Sequence, residues 1–382
     1  MNWRSETVFV TGATGFIGGR VCERMMQAEV PHVRALVHSL HRAARIARMP
    51  IELCPGDLQD RKSLKQALGG AKVVIHCGLG PESGIVRGTE NMLAVAHEAG
   101  VKRFIHVSTA AIYGITPPPG SENENAPLRR TGDPYCDNKA AAERVVLNYG
   151  RRGLPVVILR PSIVWGPYSA WSTRLMDDLR AGHVAFIDGG RGACNTTYVD
   201  NLIDAMVLGL ENDKALNQAF FITDGEPVSW GDFIRAHIAL MKPAPQISEI
   251  SRAEIAASRD KSSGLLVGSI KAAARVVRSK EFRQMLMKIP LTEAALKKTR
   301  NWMGSLPPEK RERLRARFGV QRAAAASRNG KFIPDEVTEA TQSTTVFFSI
   351  EKARNLMGYE PRIRFAEGMN RVEQWLRYAA YL

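Results

Sequence analysis

The sequence predicts an α/β protein: a doubly wound parallel sheet with a smaller, mostly helical domain drawn from the C-terminal part of the chain. Two observations carry that expectation. In Thr7–Gly19, TVFVTGATGFIGG, an apolar run breaks into Gly12, Gly15 and Gly18. From there to Ser108, short apolar runs alternate with helical patterns at the spacing of right-handed βαβ units, whose parallel sheet is covered on both faces. At 382 residues the chain is long enough to bury a large core, as one big domain or two coupled ones.

Val8, Phe9 and Val10 suit a strand buried on both faces, and Phe16–Met26 the helix behind it. Gly12 permits the tight turn between them, Gly15 lets backbone approach a pyrophosphate, and Gly18 lets helix pack on strand. Free N–H groups at the helix start then face the anion. The spacing, GxxGxxG, is one residue wider than the usual dinucleotide fingerprint, and a plain structural turn is the alternative. The cofactor-binding candidates here are Gly12, Thr14, Gly15, Phe16, Ile17 and Gly18.

Further strands are expected at Val33–Val37, Ile51–Cys54, Val73–His76, Phe104–Ser108, Val156–Leu159 and Phe220–Thr223. Helices are expected at Ser63–Leu68, Thr89–Ala99, Tyr135–Tyr149 and Tyr198–Leu210. Ile115–Thr131 reads as a Pro-rich polar loop, and the chain after Trp165 as aromatic, Gly-rich loops, before Phe347–Leu382 returns to helical character. Ligands of such a sheet bind at the carboxyl ends of its strands.

Apolar and charged fractions are ordinary for a soluble protein, and no charged segment leads into a long apolar one, so a cytoplasmic chain without signal peptide or membrane span is expected. Cys22, Cys54, Cys77, Cys136 and Cys194 are scattered and form no CxxC pair, which reads as buried reduced thiols and no metal site. The net charge of +15 is uneven: Ser251–Phe332 holds 20 Lys+Arg against 6 Asp+Glu, nearly the whole surplus.

Tyr135 and Lys139, in YCDNK, are four residues apart on a predicted helix, which sets phenol and ammonium on one face. A nearby Lys⁺ favours phenolate, so the tyrosine pKa is expected to fall toward the range of a general acid/base. With the preceding strand end Ser108-Thr109, this arrangement resembles the extended short-chain dehydrogenase/reductases, the NAD-dependent epimerase/dehydratase family. The resemblance also covers TGATGFIGG, GDLQD, VVIHCG, GTENMLAVA, FIHVSTAAIYG, ILRPSIVWGP, NTTYVDNLIDA and KARNLMGYEPRIRFAEG. It implies a Rossmann domain over about 1–165 and 194–224, and a substrate-binding domain over 166–193 and 225–382, as a homodimer.

The resemblance assigns roles. Tyr135 exchanges a proton with a hydroxyl or carbonyl while hydride moves to or from the nicotinamide, Lys139 binds the ribose and tunes Tyr135, and Thr109, with Ser108 beside it, reaches the reacting oxygen. Asp57 and Leu58 contact adenine, Gly78 passes close to the cofactor, and Pro161 lies on the carboxamide side. For Asp57 a solvated turn carboxylate is the alternative, and for Thr109 a strand-end hydroxyl bonding its own backbone. After the second strand come His38, His41, Arg42 and Arg45, with Arg34 inside it and no Asp or Glu between Val33 and Ile51. His38 and Arg42 therefore lean the cofactor toward NADP over NAD, since a 2′-phosphate gains from arginine pairing; the outer face of a helix is the alternative.

Departures from the family narrow the chemistry. Ala110 and Ala111 stand where sugar dehydratases carry an Asp-Glu pair and related decarboxylases a Glu, leaving oxidation, carbonyl reduction or epimerisation. Gly78–Gly88 is short, and Cys194 stands where epimerases often hold nucleotide phosphates with an arginine, Arg191 being nearby. The leading expectation is an oxidoreductase or epimerase acting on a nucleotide sugar or related glycoside. The alternatives are an NADP-dependent reductase or dehydrogenase of an apolar sterol- or terpenoid-type alcohol, walled by Gly78–Gly88, Trp165, Tyr168, Trp171 and the apolar face of the insertion, or a non-catalytic cofactor sensor. The basic insertion at about 251–332, with apolar and basic stripes over Leu265–Leu286 and the run Lys310–Arg317, reads as solvated helix faces or as contact with an anionic membrane or lipid-linked diphosphate. Nothing in it resembles a nucleic-acid motif.

Overall fold

The computed structural model describes residues 2–260 and 332–382. Its centre is β1 (Val8–Thr11), four residues without a solvent-exposed side chain, paired in parallel with β2 (Val33–Val37) on one side and β4 (Val73–His76) on the other. With β3 (Glu52–Pro55), β5 (Arg103–Val107), β6 (Val156–Pro161) and β10 (Gln218–Ile222), these form a seven-stranded parallel sheet ordered β10-β6-β5-β4-β1-β2-β3. The order reverses between β1 and β4. The crevice at their carboxyl ends is where a doubly wound sheet takes its ligand.

Both faces are covered, which is why the strands read as continuous apolar runs. On one face Phe9, Val74, Phe104 and Ile158 pack beneath α2 (Arg61–Leu68), α3 (Ile85–Glu98) and α4 (Pro134–Arg151). The other face carries α1 (Phe16–Gln27) and α6 (Val199–Glu211), whose Gly209 leaves room for Ile105 and Val157. Local chemistry sets the helix ends: Asp60 caps α2 and Gly69, at φ +52°, ends it.

The loops expected after Trp165 are a correction. β7 (Ile163–Trp165) pairs with β9 (Thr196–Tyr198), and between them lies α5 (Ala170–Arg180), capped by Ser169. Downstream, α7 (Trp230–Ile238) starts at a capping box of Ser229 and Asp232. The C-terminal helices are α9 (Glu336–Gln342), α10 (Glu351–Met357) and α11 (Phe365–Tyr378). They are tied to the sheet through α6: Asp200 accepts from Arg20 and, at 3.5 Å, Arg371, while Asp204 pairs with Arg24 at 2.8 Å and Arg362 at 2.6 Å. Asn201 closes the same junction, its side chain donating to the Ile363 carbonyl at 2.8 Å and accepting from Ile363 N–H at 3.0 Å.

The chain divides into two compact units. The first takes in Met1–Gly182, Gly190–Gln246 and Glu336–Leu382, so it holds the sheet and the C-terminal helices. The second takes in His183–Gly189 and the described residues between Ile247 and Asp335, with β8 (Ala185–Ile187) parallel to β11 (Ser248–Ile250) and α8 (Arg252–Asp260) following. Both stripes of the basic insertion, Leu265–Leu286 and Lys310–Arg317, lie outside the described residues. Among the described residues no helix is long and apolar enough to cross a membrane, and no cluster of His, Cys, Asp or Glu is arranged to hold a metal.

Candidate active site

Two glycines in the β1–α1 turn sit where any side chain would collide. A Cβ on Gly12, at φ +70°, would lie 2.7 Å from the Cys77 carbonyl, and one on Gly18 would lie 2.2 Å from the Gly12 oxygen. Gly15 begins α1 without a side-chain cap, and the first turn carries no acid. The N–H groups of Phe16, Ile17 and Gly18 therefore lack intrahelical acceptors, beside an exposed Gly15 and half-buried Thr14. At the end of β4, Gly78 N–H donates to Thr11 Oγ1 at 3.0 Å, and a Cβ there would lie 2.9 Å from Leu58. Gly12, Gly18, Leu58 and Gly78 thus frame one cradle at the switch point, and it fits the pyrophosphate of a dinucleotide.

At the β2 and β3 ends, His38 Nε2 lies 3.6 Å from Asp57 Oδ2. Asp57 Oδ1 accepts from Gln59 N–H at 2.9 Å, a turn contact, while Oδ2 is the oxygen near His38. Of the basic residues near His38, Arg34 is held by Glu52 and the Ala67 carbonyl, and Arg45 by Glu23 and the Tyr168 ring. Arg42 is exposed and has no ion pair among the described residues. Pro161 ends β6, buried opposite Ile222.

Tyr135 and Thr109 are brought together. Asp133 caps α4 by accepting from Cys136 N–H at 2.8 Å, Pro134 opens the helix, and the Tyr135 phenol and Thr109 line the same cavity, with Thr109 acting on the phenol. Thr109 Oγ1 also accepts from Ala111 N–H at 3.2 Å, the backbone turn foreseen as its alternative role. The expected fall of the Tyr135 pKa is corrected: burial pushes it above the ordinary phenol value, partly offset by Thr109. The buried Lys139 Nζ donates to the Val107 carbonyl at 2.8 Å. Burial brings Lys139 itself down to about 8, against the attraction of Glu143.

Ser108, beside Thr109, has a different partner. Its hydroxyl donates to Glu143 at 2.8 Å, Glu143 is fully buried and pairs with Arg160, and Arg160 donates on to the Tyr113 hydroxyl at 3.1 Å. Glu143 and Arg160 were missed in the sequence. Glu143 lies four residues after Lys139 on the same helix face, which is the signal that could have found it.

A cavity of about 350 Å³ opens from Tyr135 and Thr109, walled by Ala110, Ala111, Ile163, Trp171, Trp230 and Phe348. No lysine or arginine lines it among the described residues. Of the aromatic walls expected, only Trp171 is in place. Trp165 is fully buried against Tyr198, Phe233 and Phe365 and donates to Asp224 at 3.0 Å, while Tyr168 stacks on Arg45 and Trp375. Neither the short Gly78–Gly88 segment nor Arg191, which is exposed, lines this cavity, and Cys194 is fully buried.

The model of the NAD dependent epimerase/dehydratase family matches residues 8–222. Among curated relatives, a 4-hydroxy-2-methyl-3-oxo-4-farnesyl-3,4-dihydroquinoline-1-oxide ketoreductase of Stigmatella aurantiaca is 31% identical over 59% of this chain and 70% of its own length. A 2-alkyl-3-oxoalkanoate reductase of Stenotrophomonas maltophilia is 27% identical over 63% of this chain and 77% of its own. A 3 beta-hydroxysteroid dehydrogenase/Delta 5-->4-isomerase of Mycobacterium tuberculosis is 29% identical over 60% and 67% respectively. Among solved structures, UDP-glucuronic acid 4-epimerase from Bacillus cereus in complex with NAD superimposes with a TM-score of 0.65 at 18% identity, covering 98% of this chain and 99% of that one. At that identity the likeness speaks for the fold.

Proposed function

Because the chain belongs to the NAD dependent epimerase/dehydratase family, we propose that it is an NAD(P)-dependent reductase or dehydrogenase of an apolar ketone or its alcohol. The observation that carries the reading is the cavity at Tyr135, where Ile163, Trp171, Trp230 and Phe348 supply apolar walls and, among the described residues, no lysine or arginine awaits a nucleotide diphosphate. Relatives named as reductases of keto compounds and as steroid dehydrogenases support it. The nucleotide-sugar reading draws on structural neighbours at 18% identity, such as the epimerase above, and on no residue of this cavity.

The nicotinamide, when bound, supplies or accepts the hydride at the carbonyl carbon. The chain's own part is protonic and electrostatic. Tyr135, held protonated by burial, donates its phenolic proton to the carbonyl oxygen as the hydride arrives, so the carbonyl becomes a secondary alcohol with charge balanced. Thr109, lining the cavity beside that phenol, offers the second contact to the same oxygen. Lys139, its Nζ held by the Val107 carbonyl, would reach the ribose. His38 and Arg42 flank the place of a 2′-phosphate and favour NADP(H). The test is reduced-cofactor consumption with a panel of neutral ring ketones and of nucleotide sugars: ketone-dependent oxidation of NADPH is expected, and epimerisation of a nucleotide sugar without net cofactor use would refute the proposal.

A further inference from the structure

We infer that Asp133 selects substrates by charge, admitting uncharged ketones and excluding anionic ones; this rests on the apolar-ketone reading and adds the charge class of the substrate. Asp133 is fixed by its own local structure. As the α4 cap it accepts from Cys136 N–H at 2.8 Å, and its own N–H donates to Thr131 Oγ1 at 3.2 Å. Two residues on, the same helix start delivers Tyr135. Both side chains line the catalytic cavity, and among the described residues Asp133 is the only acidic or basic side chain that does.

The α4 N-terminus that Asp133 caps and the arginine-lined cleft it also borders offset part of that charge, but no cation lines the catalytic cavity among the described residues. Ala110, Ala111, Ile163 and the two tryptophans do not neutralise it, and the cavity's polar linings Ser162, Asn195, Thr341 and Thr344 are uncharged. A carboxylate is acceptor-only, so a hydroxyl or N–H on the substrate is tolerated while a second carboxylate or a phosphate is repelled, by about tenfold in affinity. A neighbouring cleft of about 520 Å³ shares Gly114, Ile115 and Asp133 and adds Arg129 and Arg130. Those guanidinium groups line that cleft and not the catalytic cavity. They make the natural control.

Asn caps helices about as well as Asp, so Asp133→Asn removes the charge and keeps the cap. Trp171 and Trp230 line the cavity, so intrinsic fluorescence reports its occupancy in the full chain independently of turnover. Two probes suffice: a cyclohexanone bearing a methyl group opposite the carbonyl, and one bearing a carboxylate there. The wild-type chain is expected to bind the methyl probe at least about tenfold more tightly, and Asp133→Asn, folded by circular dichroism, to bring the ratio within about threefold. Arg129→Ala leaves the ratio unchanged. Equal binding by the wild type, a ratio unmoved in Asp133→Asn, or no binding of the methyl probe would overturn the inference. If the binding ratio behaves as stated but neither probe is reduced, the charge selection stands and the ketone-reductase reading fails.

Discussion

Gly18 has no space for even one methyl group, since a Cβ there would sit 2.2 Å from a backbone oxygen that the turn itself fixes. Gly18→Ala is therefore expected to push α1 off β1 and weaken dinucleotide binding by at least about a hundredfold, read by calorimetric titration. Unchanged affinity would show that the cradle is not the pyrophosphate site. Tyr135 carries a second prediction. Burial holds its phenol above the ordinary value, so the acid form persists and the reductive rate should stay level from about pH 7 to 9, while alcohol oxidation climbs over the same range. A reductive rate that falls there would mean that the phenol titrates lower than its surroundings dictate.

At the scale of elements, the buried pair Glu143–Arg160 joins α4 to β6, and Ser108 links both to the end of β5. Removing one partner strands the other's charge, so Glu143→Ala should cost about 3–5 kcal/mol by denaturant unfolding, whereas Ser108→Ala should cost about 1 kcal/mol. Equal losses would refute the network as drawn. The elements themselves were unevenly legible. Strands of the main sheet announced themselves because burial on both faces leaves an apolar run, as in Val73–His76. β7, β8, β9 and β11 have three residues each, too few to display any period, and α5 and α7 hid behind aromatic residues although Ser169 and Ser229 capped them. Thr109 and Tyr135 were readable from strand end and helix start. Arg160 was not, because its pairing with Glu143 arises only when β6 lies beside α4, whereas Glu143, four residues after Lys139, carried a readable spacing that was passed over.

Over the whole molecule, burial of neutral imidazoles makes stability depend on acid. His76 is lowered to about 3 and His237 to about 4, with His106 lowered well below its ordinary range by the same desolvation. The unfolded chain binds more protons than the folded one below about 6.5, so stability falls with falling pH, by about 2 kcal/mol for each such histidine at pH 5. Thermal unfolding across about pH 7 to 5 checks this, and a midpoint that does not drop would contradict it. Lys139, lowered to about 8, has the same sign higher up: stability is gained as pH rises from about 8 toward 10.5. Tyr135 as the acid that protonates an apolar ketone within this cavity is tested by comparing wild type with Tyr135→Phe for NADPH oxidation driven by a neutral ring ketone, alongside ketone binding. Turnover is expected to fall by about a thousandfold or more while binding survives within a few-fold. Undiminished turnover in the variant, or activity confined to nucleotide sugars in the wild type, would contradict the account.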